Sequence, residues 1–367
     1  MAVSAKANRL RSEGIDVTNI SSGRPDFDTP EYIKEAANRA LNEGKTKTTN
    51  PEGIQPLREA VVTKLQEENN ISTEVDRVIA TPGTKYALFQ SLFALLQDGD
   101  EAVLLDPSWV SYESMVTMSG GRLNRVTLKP ETGFTLDDAR LEESVSDDTR
   151  VLILNTPVNP SGAVFSKENL KMIRDLAVDH DFWVISDEIY EKIVYHGAQH
   201  HSIGALDGMD ERCVTVNGFS KAYSMTGWRL GYLTAPRQLV DSITNTQSNT
   251  VSCPTSFVQH AGVTALTESR GHVEEMRNTY ESRMNTLVDT LEDVGVNIPR
   301  PEGAYYVFVP VNAADDVQLC QQLLEEEHVA AVPGSPFGVS GYIRLSCTND
   351  EERLVDGVQR ISEYLGR

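Results

Sequence analysis

The sequence predicts an α/β fold: a largely parallel sheet between helices, followed by a second, smaller α+β domain. Three observations carry this. From residue 75 short apolar runs alternate with helical patterns. Runs such as Val151-Leu152-Ile153-Leu154 are apolar on both faces, as strands buried between helices are. After a helical stretch, a strand–helix–strand rhythm resumes beyond residue 300. The 367 residues, 40% of them apolar, are enough for one large and one small domain.

The elements follow in order. Residues 4–17 read as a charged, helical lead-in, and 21–30 as a turn-rich loop. Asp28 or Thr29 is placed to cap a helix opening near Pro30, with apolar marks at Ile33, Ala36, Ala37, Ala40 and Leu41 and an end at Gly44. A loop fills 45–53, and a helix spans 54–68. Strands are expected over 75–80, 101–106, 122–128, 150–155, 181–187, 212–217 and 229–234. Helices are expected over 84–97, 109–118, 137–144, 167–179, 236–249 and most of 254–293. The tail reads as strand 304–309, helix 316–327, strands 329–332 and 342–346, and a final helix from Asp350.

Charge and cysteines exclude several classes. With 33 Lys and Arg against 54 Asp and Glu, the net charge is −21. That opposes nucleic-acid binding and docking on an anionic membrane. No stretch approaches 18 apolar residues, and Met1 to Asn8 lack the apolar core of a secretory signal. Cys213, Cys253, Cys320 and Cys347 form no CxxC pair, so a zinc knuckle or disulfide framework is not expected and a reducing cytoplasm is. Only 11 of the 33 basic residues are Lys, a composition that fits salt adaptation or plain compositional drift.

Some patterns mislead. Gly44-Lys45-Thr46 lacks the upstream glycine of a phosphate loop. No Gly-x-Gly-x-x-Gly follows the first strand. His196, His200 and His201, near Asp207 and Asp210, lack metal-ligand spacing and are expected to face solvent, so no metal site is expected.

Four polar clusters instead sit at strand ends, where open α/β sheets gather ligands: Thr81-Pro82-Gly83-Thr84-Lys85, Asn155-Thr156-Pro157-Val158-Asn159-Pro160-Ser161-Gly162, Ser186-Asp187-Glu188-Ile189-Tyr190, and the run from Ser220-Lys221 to Gly227-Trp228-Arg229-Leu230-Gly231. With Asn-Pro-x-Gly, Asp-x-x-Tyr, Ser-Lys and Gly-x-Arg-x-Gly in this order, the chain resembles a pyridoxal-phosphate-dependent aminotransferase of class I/II, fold type I, in the aspartate/aromatic aminotransferase-like branch. The resemblance runs nearly end to end, from Ser21-x-Gly23-x-Pro25-Asp26-Phe27-Asp28-Thr29-Pro30 to Tyr342-Ile343-Arg344-Leu345-Ser346.

The resemblance implies a large cofactor-binding domain over 48–270, with a mainly parallel seven-stranded sheet, and a small α+β domain from 1–47 and 271–367. It implies a homodimer with sites at the interface. The activity would be transfer of an amino group from an amino acid, aspartate or glutamate first, to a 2-oxo acid such as 2-oxoglutarate, through a pyridoxal phosphate aldimine. An aromatic or broad-specificity aminotransferase, or a lyase on the same fold, are the alternatives. A cofactor-sensing regulator would need a DNA-binding module for which the chain has no room.

Each residue inherits an expected role. Lys221 would bond the cofactor aldehyde and later, as a free amine, carry the proton. Asp187 would face the ring nitrogen and keep it protonated, its other reading being a helix cap. Tyr190 and Asn159 would donate to the cofactor's phenolic oxygen, with Asn159-Pro160 cis. Trp109 would stack on the ring, or serve as a core tryptophan. Gly83, Thr84, Ser220 and Arg229 would hold the phosphate. Arg344 and the Gly23 amide would take the substrate α-carboxylate, with Trp109 and Asn159 beside it. Lys85 would pair with a distal carboxylate, or else extend to water. Arg24, where relatives often carry Glu, would add charge at the mouth, pair with Glu52, or be a surface arginine. Two departures stand out: Gly218 replaces a common Ser, and Thr48 replaces the Tyr that reaches a neighbouring subunit's phosphate, leaving that contact to water or Asn50.

Overall fold

Strand runs without a polar face have to be covered on both sides, and the computed structural model of the chain does this with one central sheet. It describes residues 2–136, 138–268 and 271–366. Asp137, where the expected helix over 137–144 begins, and residue 270, at the expected domain boundary, lie outside them.

In chain order the strands are β1 (Thr18–Asn19), β2 (Val78–Thr81), β3 (Glu101–Asp106), β4 (Arg122–Thr127), β5 (Thr149–Asn155), β6 (Trp183–Asp187), β7 (Cys213–Gly218), β8 (Gly231–Thr234), β9 (Tyr306–Pro310), β10 (Val329–Ala330), β11 (Val332–Pro333) and β12 (Tyr342–Ser346). The seven-stranded sheet runs β2-β8-β7-β6-β5-β3-β4. β3 to β7 pair in parallel, while β8 is antiparallel to both neighbours. β7 is buried along its whole length, whereas β4, with Arg122, Asn124 and Arg125, is the polar edge. Val103, Leu152, Leu154 and Val184 pack on one face and Leu104, Ile153, Ile185 and Val214 on the other.

The smaller α+β domain contains the three-stranded antiparallel sheet β11-β12-β9 and the parallel pair β1-β10. Its core joins Tyr280 and Leu287 of helix His272–Asp293 to Tyr305, Val307, Leu345 and Val358. No helix among the described residues is long and apolar enough to cross a membrane.

Element starts differ from expectation where polar backbone contacts intervene. Val75–Arg77 is a 3-10 turn, because the Arg77 side chain bonds the Ala235 carbonyl at 3.0 Å and the strand starts only at Val78. The expected strands at 181 and 229 start two residues later, since Asp181 and Arg229 adopt positive φ (53° and 55°). Neither Asp28 nor Thr29 caps the helix Glu31–Asn42. Asp28 is bound to the Thr29 amide (2.8 Å) and Lys34 (3.0 Å), and Thr29 Oγ1 donates to Ser224 O at 2.8 Å.

Candidate active site

The carboxyl ends of β2, β3, β5, β6 and β7 meet at one edge of the sheet, and the reversed β8 brings its amino end there. This reversal delivers Arg229. Thr81 and Gly218 both register with Gly231, so the residue two before β8 arrives beside the Gly83 turn. The Arg229 guanidinium donates to Thr226 O (3.1 Å) and Pro82 O (3.4 Å). Gly83 has φ 87°, and a Cβ there would lie 2.4 Å from Arg229 Nη2. Helix Thr84–Leu95 starts at this glycine, and its first amides have no intrahelical partner. Gly218 is explained by the same corner: a Cβ would meet Gly231 Cα at 2.9 Å and Thr84 Cγ2 at 3.0 Å.

Asp187 ends β6 in the centre and is buried. Its carboxylate accepts from Tyr112 OH (2.8 Å) and the Ile189 amide (3.3 Å). Burial pushes this carboxyl up to about 6, although those hydrogen bonds and Lys221 oppose the rise. Lys221 Nζ donates 2.6 Å to Gly23 O and lies 5.3 and 5.6 Å from the ring centres of Tyr190 and Tyr305. Burial draws its ammonium below the usual lysine range, and the charges of Arg344 and Arg24 act in the same direction. Tyr190 OH and Tyr306 OH share a 2.9 Å hydrogen bond, and burial raises the Tyr190 phenol well above its ordinary range.

Arg344 reaches in from β12. It donates 2.9 Å to Asn159 Oδ1 and 2.9 Å to Ser21 O, and its guanidinium lies 4.2 Å over the Tyr306 ring. Its Nε is buried without a protein partner. Lys85 Nζ is 4.7 Å from the Trp109 ring centre and 3.2 Å from Ser111 Oγ. Partial burial and then Arg229 lower its pKa. Trp109 stands edge-on to Tyr112, with centroids 5.4 Å apart. Arg229, Asp187, Tyr112, Lys221, Tyr190, Tyr306, Arg344, Asn159, Lys85 and Trp109, with Gly23, Arg24, Thr84 and Ser220, line one cleft of about 740 Å³.

Not every expectation holds. Glu52 pairs with Arg58 at 3.1 Å, not with Arg24. The cis bonds are Asp106-Pro107 and Thr156-Pro157, not Asn159-Pro160; Asn159 is instead placed by its amide bond to Asn155 Oδ1 (3.0 Å). His200 does not face solvent: its side chain is 8% exposed and meets Glu188 Oε2 at 3.0 Å, a contact made between residues that loop length hides. Tyr112, Tyr305, Tyr306 and Phe337 were missed as site residues. The tandem tyrosines at the start of β9 were the available signal, since two adjacent aromatics on a short strand cannot share one face.

Comparison with known proteins decides the family. The family described as aminotransferase class I and II matches residues 15–361. The chain belongs to this family.

The aminotransferase is 42% identical over 372 residues to the aspartate/prephenate aminotransferase of Thermus thermophilus, covering 100% of this chain and 96% of that protein. A solved structure of Thermus thermophilus aspartate aminotransferase with maleate matches with a TM-score of 0.95 at 42% identity, over 99% of this chain and 95% of that one. A tetra mutant of that enzyme complexed with tryptophan matches equally well, with a TM-score of 0.95 at 41% identity and the same coverage. The chain is thus a pyridoxal-phosphate-dependent, fold type I aminotransferase of the aspartate/aromatic aminotransferase-like branch. The cleft suits that cofactor: an anion corner that a Cβ at Gly83 would fill, a buried carboxylate and a buried lysine amine.

Proposed function

We propose that this aminotransferase takes its amino group from a dicarboxylic amino acid, aspartate or glutamate, and passes it to a 2-oxo acid such as 2-oxoglutarate. One observation carries the substrate class: Lys85, exposed and only partly desolvated, lines the same cleft as Arg344. Of the cleft's cations beyond the phosphate corner, Arg344 and Lys85 fit the two carboxylates of such a substrate. An alkyl side chain would leave the Lys85 ammonium without an anion.

When bound, pyridoxal phosphate supplies an aldehyde and a cationic ring that withdraws electrons from the substrate Cα. Arg229, the Gly83–Thr84 turn and Ser220 would hold its phosphate, Trp109 would cover its ring, and Asp187 would face its nitrogen. Tyr190 and Asn159 would donate to its phenolic oxygen, Asn159 through Nδ2, because Arg344 occupies its Oδ1. Arg344 and the Gly23 amide orient the α-carboxylate. Lys221, with its proton affinity lowered by burial, would take the Cα proton and deliver it to the cofactor carbon that had carried the aldehyde oxygen. Arg344 belongs to the smaller domain, expected to comprise 1–47 and 271–367, so its pairing with substrate draws that domain toward the 48–270 domain and expels water. The working unit is a homodimer. Exposed Thr48 and Asn50, on the loop before Pro51, are the groups available to a neighbouring phosphate, directly or through water.

A second reading, aromatic or broad specificity, draws on the apolar rim formed by Val110, Val317 and Phe337. Lys85→Met separates the two. The expected outcome is a loss of about 1.5–3 kcal/mol in kcat/KM for aspartate and glutamate, with aromatic donors almost unchanged. An equal loss for all donors would remove Lys85 from substrate recognition.

A further inference from the structure

The strand end that carries Asp187 has a second side. Asp187 and Tyr190 line the cleft, whereas Glu188 and Glu191, one residue on from each, turn into a buried polar cluster that the mechanism does not use. Glu188 is fully buried and accepts four contacts: Ser186 Oγ at 2.9 Å on one oxygen, and Ser202 Oγ at 2.6 Å, His200 Nε2 at 3.0 Å and Asn69 Nδ2 at 3.3 Å on the other. Glu191 pairs with Lys64 and accepts from Asn69 at 2.6 Å. Lys64, itself buried, donates 2.6 Å to Asn69 Oδ1. The cluster thereby ties the end of helix Gln55–Asn69 and the loop through Ser202 to the turn after β6.

Glu188, Glu191 and His200 also form a donor set of the kind that holds a metal, with ligand atoms within 4.8 Å. The cation in that place is the protein's own Lys64 ammonium. Two buried carboxylates thus share the cluster with one buried ammonium, which pairs with Glu191. At the rim Glu68 and Lys192, 2.7 Å apart, cancel each other. Among carboxylates and ammonium groups alone, Glu188, Glu191 and Lys64 leave one carboxylate in excess, and Glu188 is met by hydrogen-bond partners, Ser186, Ser202, Asn69 and His200, and not by a lysine or arginine. Other titratable groups near it do not offset this: burial raises Tyr223, Tyr232 and Cys213, so they stay neutral.

We propose that Glu188 is a positioning residue for the cofactor's ring nitrogen: clamped in this cluster, it holds the turn that carries Asp187 and Tyr190 and places a second fixed negative charge behind Asp187. The inference rests on the reading that Asp187 faces that nitrogen. A second carboxylate on the adjacent residue favours a proton between Asp187 and the ring, and after burial, the main cause, the Glu188 charge also acts to raise Asp187. Besides the Ile189 amide, the Asp187 carboxylate meets Tyr112, which burial keeps neutral, and the more distant Lys221.

The test is a pH titration of the holoenzyme loaded with pyridoxal phosphate 15N-labelled in the ring, read by the nitrogen's chemical shift. Glu188→Gln should lower the pH at which the ring nitrogen loses its proton by about one unit. Glu188→Asp, which keeps the charge, should stay within about a third of that shift. Lys64→Gln, which removes the cation, should move the midpoint upward, and a general loosening of the turn would not give opposite signs. This variant also decides the matter if Glu188→Gln does not fold. An unchanged midpoint in Glu188→Gln, a Glu188→Asp shift as large as that of Gln, or a downward shift in Lys64→Gln overturns the proposal. Asp187→Asn separates the two layers. If it leaves the nitrogen's titration untouched, the reading of Asp187 fails. If it abolishes protonation while Glu188→Gln changes nothing, only the role of Glu188 fails.

Discussion

Replacing Gly83 by Ala perturbs the phosphate corner in two separable ways. The backbone there has φ 87° and ψ 161°, a region that residues with a Cβ avoid at a cost of about 1–3 kcal/mol. This part lowers the melting midpoint of the apoenzyme. The new methyl would also lie 2.4 Å from Arg229 Nη2 and 2.8 Å from its Cζ, so the guanidinium has to leave. Losing one charge-assisted contact to a phosphate costs about 1.5–3 kcal/mol, and because Arg229 is exposed the lower half of that range applies. The dissociation constant of pyridoxal phosphate, measured by equilibrium dialysis of the apoenzyme, should therefore rise about ten- to thirtyfold. Arg229→Gln should weaken binding similarly while leaving the apoenzyme's melting midpoint almost unchanged. A Gly83→Ala enzyme that melts lower but binds the cofactor within about threefold of the parent would show that Arg229 does not hold the phosphate.

Other outcomes follow from the same geometry. Lys221→Ala should retain part of the cofactor affinity through Arg229 and Asp187 but lose multiple turnover and the visible band of the lysine-bound cofactor; a persistent band would identify another lysine as the anchor. In the apoenzyme the Asp187 carboxyl is raised from 3.8 to about 6, so the folded state keeps a proton that the unfolded state releases. Its stabilisation is complete below pH 4 and is lost as pH rises through 6, a difference of about 3 kcal/mol. Apo Asp187→Asn should thus gain on the parent between pH 4 and 6.5 in urea unfolding, and parallel pH profiles would contradict the buried, unpaired carboxyl. The same substitution should cost the holoenzyme several kcal/mol in kcat/KM, since the ring loses its fixed counter-charge. At net charge −21 the melting midpoint should climb from low to molar monovalent salt, and a flat response would point to ordinary acidity.

The fold was legible wherever burial writes a continuous apolar run. β5, β6 and β7 are such runs, and their polar last residues, Asn155, Asp187 and Gly218 with its following Ser220-Lys221, mark the ligand edge. Strand direction is not written there: nothing in Gly231–Thr234 says that β8 reverses, yet the placement of Arg229 depends on it. The family pattern located the groups with dedicated chemistry but not their partners. Tyr112 gave no local sign of its place in the site, because its bond to Asp187 spans 75 residues of sequence. His200 looked solvent-facing because the Glu188 that meets it comes from another element. Long-range pairing, not local propensity, settles such residues.

The β7–β8 connection has a consequence for how this enzyme can vary through descent. Lys221 and Arg229 lie on one loop, 219–230, whose ends are fastened where Gly218 and Gly231 pair. The loop is a ruler: it sets the spacing between the amine and the guanidinium. Inserting or deleting one residue would displace one end against the other by about 3.3 Å, more than a hydrogen bond tolerates. Heritable change in this segment is therefore confined to exchanges of side chains at constant length.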